Sequence, residues 1–104
     1  MIIVTTETVC HHEISETLGL VRGNTIRARH VGRDIMAGLK NIVGGELKGY
    51  TELLEDARQV AVARMVEEAR LLGANAVVNI RFSTSSITAG ASELYAYGTA
   101  VVVE

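Results

Sequence analysis

The stretch Thr51–Phe82, TELLEDARQVAVARMVEEARLLGANAVVNIRF, decides the fold. Apolar residues recur in it at three- and four-residue spacing and share one side of a helical wheel, namely Leu54, Ala57, Ala61, Met65, Ala69 and Leu72. Thr51 is a candidate N-cap, and the acidic residues that follow it suit the positive end of a helix dipole. Gly73 can take the left-handed conformation that ends a helix. The sequence therefore predicts a long amphipathic helix from Thr51 to Leu72.

The hydrophobic period changes from 3.6 to 2 after this glycine, which predicts a strand over Ala76–Thr84. Strict alternation assigns alternate side chains to opposite faces of the strand. We expect Val78, Ile80 and Phe82 to face the helix and Val77, Asn79, Arg81 and Ser83 to face away. The helix and strand together predict one layer of helix lying on a sheet.

Three further strands flank this unit in the prediction, over Ile2–Val4, Gly19–Arg29 and Glu93–Val103. Small residues share one face of the last strand (Ala96, Gly98 and Ala100), so the helix can lie close to that face. The pair Gly23–Asn24 predicts a hairpin turn inside the second strand, with a β-bulge as the alternative.

The connecting segments are less regular. Glu7–Thr17 is polar and aperiodic and predicts a loop, and Ser85–Ser92 predicts a turn-rich connection. Gly32–Val43 predicts a short helix with one apolar side, which Gly44–Gly45 ends. The sum is a single α+β domain over residues 1–104, with one long helix packed on an antiparallel sheet.

Composition bounds the classes of function. The chain has 104 residues, 48% of them hydrophobic, with no Trp, no Pro and one Phe. A lone subunit of this size has more aliphatic surface than two layers can bury, so we expect a homo-oligomer. The net charge of −2 disfavours nucleic-acid binding, and no apolar run reaches membrane-spanning length. A single cysteine excludes an internal disulfide; together with the absence of a signal-peptide pattern, this predicts a reducing, cytoplasmic setting.

Several motifs in order resemble the YbjQ-like family, which is labelled a heavy-metal-binding domain of unknown function. They are Arg33-Asp34-Ile35, Ala37-Gly38, Ile42-Val43-Gly44-Gly45, Tyr50, Leu72-Gly73-Ala74-Asn75-Ala76-Val77-Val78 and Gly98-Thr99-Ala100-Val101. The resemblance covers nearly the whole chain. It implies a dodecin-subunit-like fold and a ring of subunits, commonly a homopentamer.

Cys10, His11 and His12, followed by Glu13, carry the donor atoms that Zn, Cu or Ni accept. In an extended segment Cys10 and His12 point the same way, so one chain offers two good ligands and a ring would have to supply the others. The alternative is an exposed loop that merely contains these residue types. These residues are not part of the YbjQ-like pattern, so the family's metal label does not transfer to them.

The basic residues concentrate at Arg27, Arg29, His30 and Arg33. Together with the outward-facing Asn79, Arg81, Tyr95 and Tyr97, they predict a polar cavity or the mouth of a ring pore that suits an anionic small molecule. The alternative is salt bridging between subunits, with Asp34, Glu46 or Glu93 as the acidic partners.

Arg58 falls on the apolar side of the helical wheel, between Ala57 and Ala61. A buried guanidinium needs a partner, for which Asp34 and Glu46 are the candidates, from the same chain or a neighbour. The alternative is a side chain that extends past the stripe to water.

No catalytic constellation is evident, since the acid–base candidates His30, Asp34 and Glu46 cannot be placed together. The sequence therefore predicts a homo-oligomeric, ring-forming binding or structural module rather than an enzyme. The prediction includes a small ligand bound at the subunit interfaces or in the pore, and the alternative function is transition-metal binding through Cys10, His11 and His12.

Overall fold

The computed structural model describes residues 1–27, 48–88 and 91–104, with side chains for 1–26, 54–86 and 92–104. These residues form strands and one helix, in the order β1 (Ile2–Ile3), β2 (Ile14–Arg27), α1 (Lys48–Leu71), β3 (Ala76–Thr88) and β4 (Ala91–Val103). The strands make one sheet in the order β1-β3-β4-β2, and α1 packs on it mainly over β2 and β4. The predicted α+β arrangement of one long helix on a sheet is confirmed.

The sheet is mixed rather than wholly antiparallel, because β1 pairs parallel to β3. The amide of Ile2 donates to the carbonyl of Asn75 at 3.1 Å, and that of Val4 donates to Val77 at 3.0 Å. The short N-terminal strand thus lies beside the start of β3, while β2 and β3 both pair antiparallel with β4.

The helix ends as the sequence predicts but begins earlier. Gly73 has a φ of 90°, its amide donates to Arg70 at 3.0 Å, and the Ala74 amide donates to Ala69 at 3.1 Å. These two bonds form a Schellman motif, which satisfies the last carbonyls of the helix. At the other end α1 begins at Lys48, so Thr51 lies inside the helix and the prediction that it is the N-cap is wrong.

The main core lies between α1 and the face of the sheet that we call the helix face. Its helix side is formed by four residues of the predicted stripe, Ala57, Ala61, Met65 and Ala69, all buried, whereas Leu72 at the end of that stripe is 48% exposed. Its sheet side includes Val21, Val77, Ile80, Ala96 and Ala100. The small side chains of Ala96 and Ala100 lie under the alanines of the helix, which confirms the expected close approach.

Gly23 marks the point where the helix approaches the sheet most tightly, and it does not form a hairpin. β2 runs through it without a turn, paired with β4 on both sides, and its register shifts lie instead near Glu16 and Gly19. A Cβ at Gly23 would overlap the carbonyl oxygen of Ala61 and the amide nitrogen of Met65. The glycine is needed because the helix backbone occupies the space of a side chain.

A β-bulge at Asn79 changes which side chains of β3 face the helix. Asn79 has a φ of 55°, a conformation that Asn tolerates better than most residues, and the pairing with β4 shifts between Val78 and Arg81. Val77 and Ile80 therefore lie in the helix-face core, whereas Val78 lies on the other side of the sheet. The predictions for Val77 and Val78 are wrong because one extra residue reverses the alternation.

Strands β2 and β4 begin earlier and β3 ends later than the sequence predicts, whereas β1 is one residue shorter. β2 begins at Ile14, inside the segment predicted as a loop over Glu7–Thr17. The serine-rich end of β3 pairs with β4, with Ser85 opposite Glu93 and Ser86 opposite Ser92. Cross-strand backbone hydrogen bonds thus extend the sheet through polar sequence that has no hydrophobic pattern of its own. The predicted short helix at 32–43 lies outside the described residues.

The face of the sheet away from α1, which we call the opposite face, has a smaller core at one end. Val9 is 8% exposed and packs with Ala76, Val78, Val101 and Val103, so the N-terminal segment folds under the sheet. The backbones of Glu13 and Glu104 exchange two hydrogen bonds of 3.2 and 2.9 Å at this end. Within the described residues, no helix is long and apolar enough to cross a membrane.

Candidate functional site

A polar pocket of about 500 Å³ lies on the opposite face, away from the small core. It is lined by residues of three strands, Arg22 and Asn24 of β2, Glu93 and Tyr95 of β4, and Ser85 of β3. Arg22, Asn24 and Tyr95 alternate with buried residues such as Val21, Gly23 and Ala96, so the alternation of the strands directs them to this face.

The strand register places the polar pocket residues in rows across the sheet. Asn24 is opposite Tyr95, and Glu93 is opposite both Ile26 and Ser85. The Asn24 amide nitrogen donates to a Glu93 carboxylate oxygen at 3.4 Å, which is long for a hydrogen bond. The carboxylate therefore remains available as an acceptor for a ligand.

Tyr95 and Tyr97 extend the pocket floor along β4. Their ring centroids are 5.9 Å apart, with the planes tilted by 38°. Tyr97 lies opposite Arg22. The two tyrosines thus lie side by side on the face of β4 where the sequence predicts them.

The other residues predicted for a polar cavity are not in this pocket. Arg81 is on the same face but donates to the carbonyls of Thr5 and Ile80, both at 2.8 Å, so it fastens the N-terminal segment. Asn79 forms the bulge, with its amide donating to Thr6 at 2.9 Å. The side chain of Arg27 and residues 29, 30 and 33 lie outside the described side chains.

Sequence reasoning did not identify Arg22, Asn24, Ser85 or Glu93 as members of one polar site. Arg22 and Asn24 alternate with the buried Val21 and Thr25, and this period-2 pattern is the signal that places them on a common exposed face. The register that brings them to Glu93 depends on pairing between distant segments, which the local pattern does not specify.

Cys10, His11 and His12 lie in a tight turn, which we call the His turn. The His12 amide donates to Val9 at 3.1 Å, and His11 has a φ of 66°, as the third residue of a type II turn does. All three side chains are exposed, and the Cys10 thiol is free. The segment is thus a turn, whereas the proposed arrangement of Cys10 and His12 assumed an extended chain.

A metal site requires several donor side chains whose atoms converge on one point. In residues 1–27, 48–88 and 91–104, no three His, Cys, Asp or Glu side chains are grouped so that they could hold a metal ion. A structural transition-metal site usually needs four donors. The described part of one chain therefore does not fit a closed metal centre.

Arg58 is exposed on α1 in the single chain, so its side chain lies outside the buried stripe on which the wheel places it. Its candidate partners Asp34 and Glu46 lie outside the described residues. Within the described core the stripe holds only apolar side chains, and a pairing of Arg58 with Asp34 or Glu46 stays a prediction.

Exposed apolar side chains lie along two opposite edges of the described sheet, which we call the β2-side surface and the β3-side surface. On the β2 side, Ile14, Leu20 and Ile26 are 39%, 66% and 57% exposed. On the β3 side, an apolar groove of about 460 Å³ is lined by Ile3, Val4, Thr5, Thr6, Val62, Ile80 and Phe82. Phe82 in this groove is 47% exposed. The described chain thus presents aliphatic and aromatic side chains to solvent on both sides.

Comparison with known proteins places this chain in a family. The model of the YbjQ family, described as "Putative heavy-metal-binding", matches residues 1–104. The chain belongs to this family. It is 64% identical over 104 residues to a UPF0145 protein of Hahella chejuensis, covering all of both chains. It is 65% identical over 101 residues to a UPF0145 protein of Archaeoglobus fulgidus, covering 97% of this chain and 94% of the other.

A solved structure shares the fold at much lower identity. The crystal structure of a Pediococcus pentosaceus protein of unknown function, from the DUF74 family, matches with a TM-score of 0.54 and 17% identity. The match covers 100% of this chain and 98% of that one. At this identity the likeness concerns the fold alone.

Proposed function

We propose that this chain is a homo-oligomeric, ring-forming module that binds a small ligand near its subunit interfaces. The observation that carries the proposal is the pair of apolar surfaces at the two edges of one sheet. A sheet edge with unpaired backbone groups and exposed apolar side chains is a site for association with another chain.

The two surfaces differ from each other, which favours a head-to-tail assembly. β2 is the outermost strand on one side of the described sheet. On the other side the N-terminal segment covers β3 as far as Ile80, whose amide donates to Val4 at 3.2 Å. When a β2-side surface meets the β3-side surface of the next copy, every copy repeats the same contact. Such an assembly closes into a ring if the rotation between copies allows it, and the family resemblance suggests five subunits.

The test is the mass of the assembly in solution, measured by light scattering over a wide concentration range. We expect a multiple of the 11.2 kDa chain mass. The double variant Leu20→Asp with Ile26→Asp should break the β2-side surface, and Phe82→Asp should break the β3-side surface. Leu71→Asp is the matched control, because Leu71 is 76% exposed but belongs to neither surface.

Mixing the two broken variants distinguishes head-to-tail from symmetric contact. Each variant retains one intact surface, so an equimolar mixture should form a one-to-one dimer that neither variant forms alone. A wild-type protein that stays monomeric at all concentrations would remove the basis of the proposal. A ring that survives both sets of substitutions would show that other surfaces build it.

Transition-metal binding through Cys10, His11 and His12 stays a prediction. The family description names heavy metals, but the described donors of one chain do not form a closed site. Titration of Zn²⁺ or Cu²⁺ into the wild type and into a Cys10→Ser, His12→Ala variant tests it. Equal and weak binding by both proteins would exclude the His turn as a metal site.

A further inference from the structure

We propose that the polar pocket binds a small zwitterion whose carboxylate and ammonium groups are several ångströms apart. Arg22 binds the carboxylate of the ligand, Glu93 binds its ammonium group, and Tyr95 contacts the part of the ligand between these two groups. The inference rests on the proposed function for its biological role, since it names the class of ligand that the module takes. All five lining residues belong to one chain.

The separation of the two charged residues sets the length of the ligand. Arg22 of β2 lies opposite Tyr97 of β4, and Glu93 precedes Tyr97 by four residues on β4. At a rise of about 3.3 Å per residue, these backbone positions are roughly 13 Å apart along the strand. The side chains shorten this gap, but a ligand that reaches both needs its charges on different ends of a short chain rather than on one carbon atom.

The two charges are not paired with each other. The one salt bridge within the described residues joins Glu67 to Arg70 on the far side of the molecule, on α1. Among the described residues, Glu93 receives only the long hydrogen bond from Asn24, and Arg22 has no acidic partner. A ligand with both charges satisfies both side chains, whereas an ion of either sign satisfies one and is repelled by the other.

The middle of the pocket suits a methylene chain or a peptide unit. Tyr95 offers a ring face supported by Tyr97, whose centroid is 5.9 Å away. The hydroxyls of Tyr95 and Ser85 can donate to a ligand carbonyl or accept from an amide or ammonium. A single exposed ion pair contributes little in water, so the proposed affinity depends on all three contacts together.

The experiment compares probes by calorimetry or by NMR titration of the wild-type protein. The probes are 6-aminohexanoate, which carries both charges, and hexanoate and hexylamine, which carry one each; glycylglycine and glycine then report on spacing and on a peptide unit. We expect 6-aminohexanoate to bind about fivefold more tightly than either singly charged probe, the upper end of what one exposed ion pair contributes. Glycine should bind more weakly than glycylglycine, because its charges are too close together.

Variants assign each charge to its side chain. In Arg22→Gln, 6-aminohexanoate should bind no better than hexylamine, and in Glu93→Gln it should bind no better than hexanoate. Arg81→Gln is the matched control, since Arg81 is on the same face but its guanidinium is held by Thr5 and Ile80. This control should keep the wild-type preference for the zwitterion.

The outcomes separate this inference from the ring proposal. The Phe82→Asp variant should bind 6-aminohexanoate as the wild type does, even if it no longer assembles, because it leaves the pocket intact. Equal binding of the three six-carbon probes, no binding of 6-aminohexanoate, or a preference unchanged in both pocket variants would overturn the zwitterion site. None of these results depends on the oligomeric mass, which is measured on the same samples.

Discussion

The two faces of the sheet are covered in different ways. On the helix face, backbone lies almost against backbone, since Gly23, Ala96 and Ala100 have little or no side chain beneath the alanines of α1. On the opposite face, the N-terminal segment covers one end through a single buried side chain, Val9. The rest of that face presents the polar pocket with exposed Leu20 and Ile26 at its side.

This difference indicates a division of roles between the faces. Close packing over Gly23, Ala96 and Ala100 leaves no room for a ligand there, so this part of the helix face contributes stability and rigidity. Among the described residues, the opposite face has charged side chains without a salt-bridge partner, tyrosines and exposed aliphatic residues, which are the features of binding surfaces. Substitutions in the packed core around Gly23 should therefore change the free energy of unfolding, while those around the pocket and at the sheet edges should change binding or assembly.

The largest expected effect is that of Gly23→Ala. A Cβ there would overlap backbone atoms of Ala61 and Met65 and lie 2.8 Å from the Cβ of Arg64, and backbone cannot rotate away as a side chain can. We expect the free energy of unfolding to fall by about 3 kcal/mol, at the upper end of the cost of overpacking. Urea denaturation followed by circular dichroism measures the change.

Gly19→Ala is the control for this substitution. Gly19 is on the same strand with a φ of 123°, and nothing lies within 4 Å of a Cβ there, so only backbone strain opposes the change. We expect a loss of about 1–2 kcal/mol. Equal urea midpoints of unfolding for Gly23→Ala and Gly19→Ala would mean that α1 does not closely contact β2 at Gly23.

A smaller effect is expected from Val9→Ala on the opposite face. Removing two methyl groups from a side chain that is 8% exposed should lower the free energy of unfolding by about 1–2 kcal/mol. The loss should be local as well, because the His turn and the Glu13–Glu104 bonds depend on this anchor. Amide hydrogen exchange at Glu13 and Glu104 should accelerate more than exchange at Met65. Equal acceleration at all three amides would contradict the expectation that the loss of Val9 loosens the N-terminal segment locally.

Much of the fold follows from local sequence patterns. The stripe from Ala57 to Ala69 and the stop at Gly73 depend only on helix geometry and on glycine's freedom at positive φ, and both are confirmed. Two features were not predictable in this way. The bulge at Asn79 inserts one residue into the alternation, and Gly23 next to Asn24 has the same local signature as a turn although it serves a contact with the helix.

The candidate site was harder to predict than the fold. Tyr95 and Tyr97 were assigned to the correct face because alternation along β4 is regular. Arg22, Glu93 and Ser85 come together only through the pairing of β2 with β4 and of β4 with β3, whose register depends on long-range contacts. The sequence instead directed attention to clusters of similar residues, such as the His turn, where proximity in the chain does not produce a grouped set of donors.

The smallest expected effect is at the outer surface of α1, far from both faces. Arg70 Nε and Nη2 donate to the Glu67 carboxylate at 3.0 and 2.7 Å, and these hydrogen bonds hold the pKa of Glu67 below its ordinary value. A lowered folded-state pKa means that the pair stabilises the fold above the ordinary glutamate pKa of about 4.3, and that this stability is lost as the pH falls through the lower folded-state value. Glu67→Gln should therefore melt slightly below the wild type at pH 7 and level with it at pH 2, with the gap at pH 7 narrowed by 1 M salt. Glu68→Gln, on the same exposed turn, is the control for the loss of a carboxylate that is not paired with Arg70. If the difference in melting temperature between Glu67→Gln and the wild type did not change with pH, the Glu67 side chain would act through packing rather than through charge.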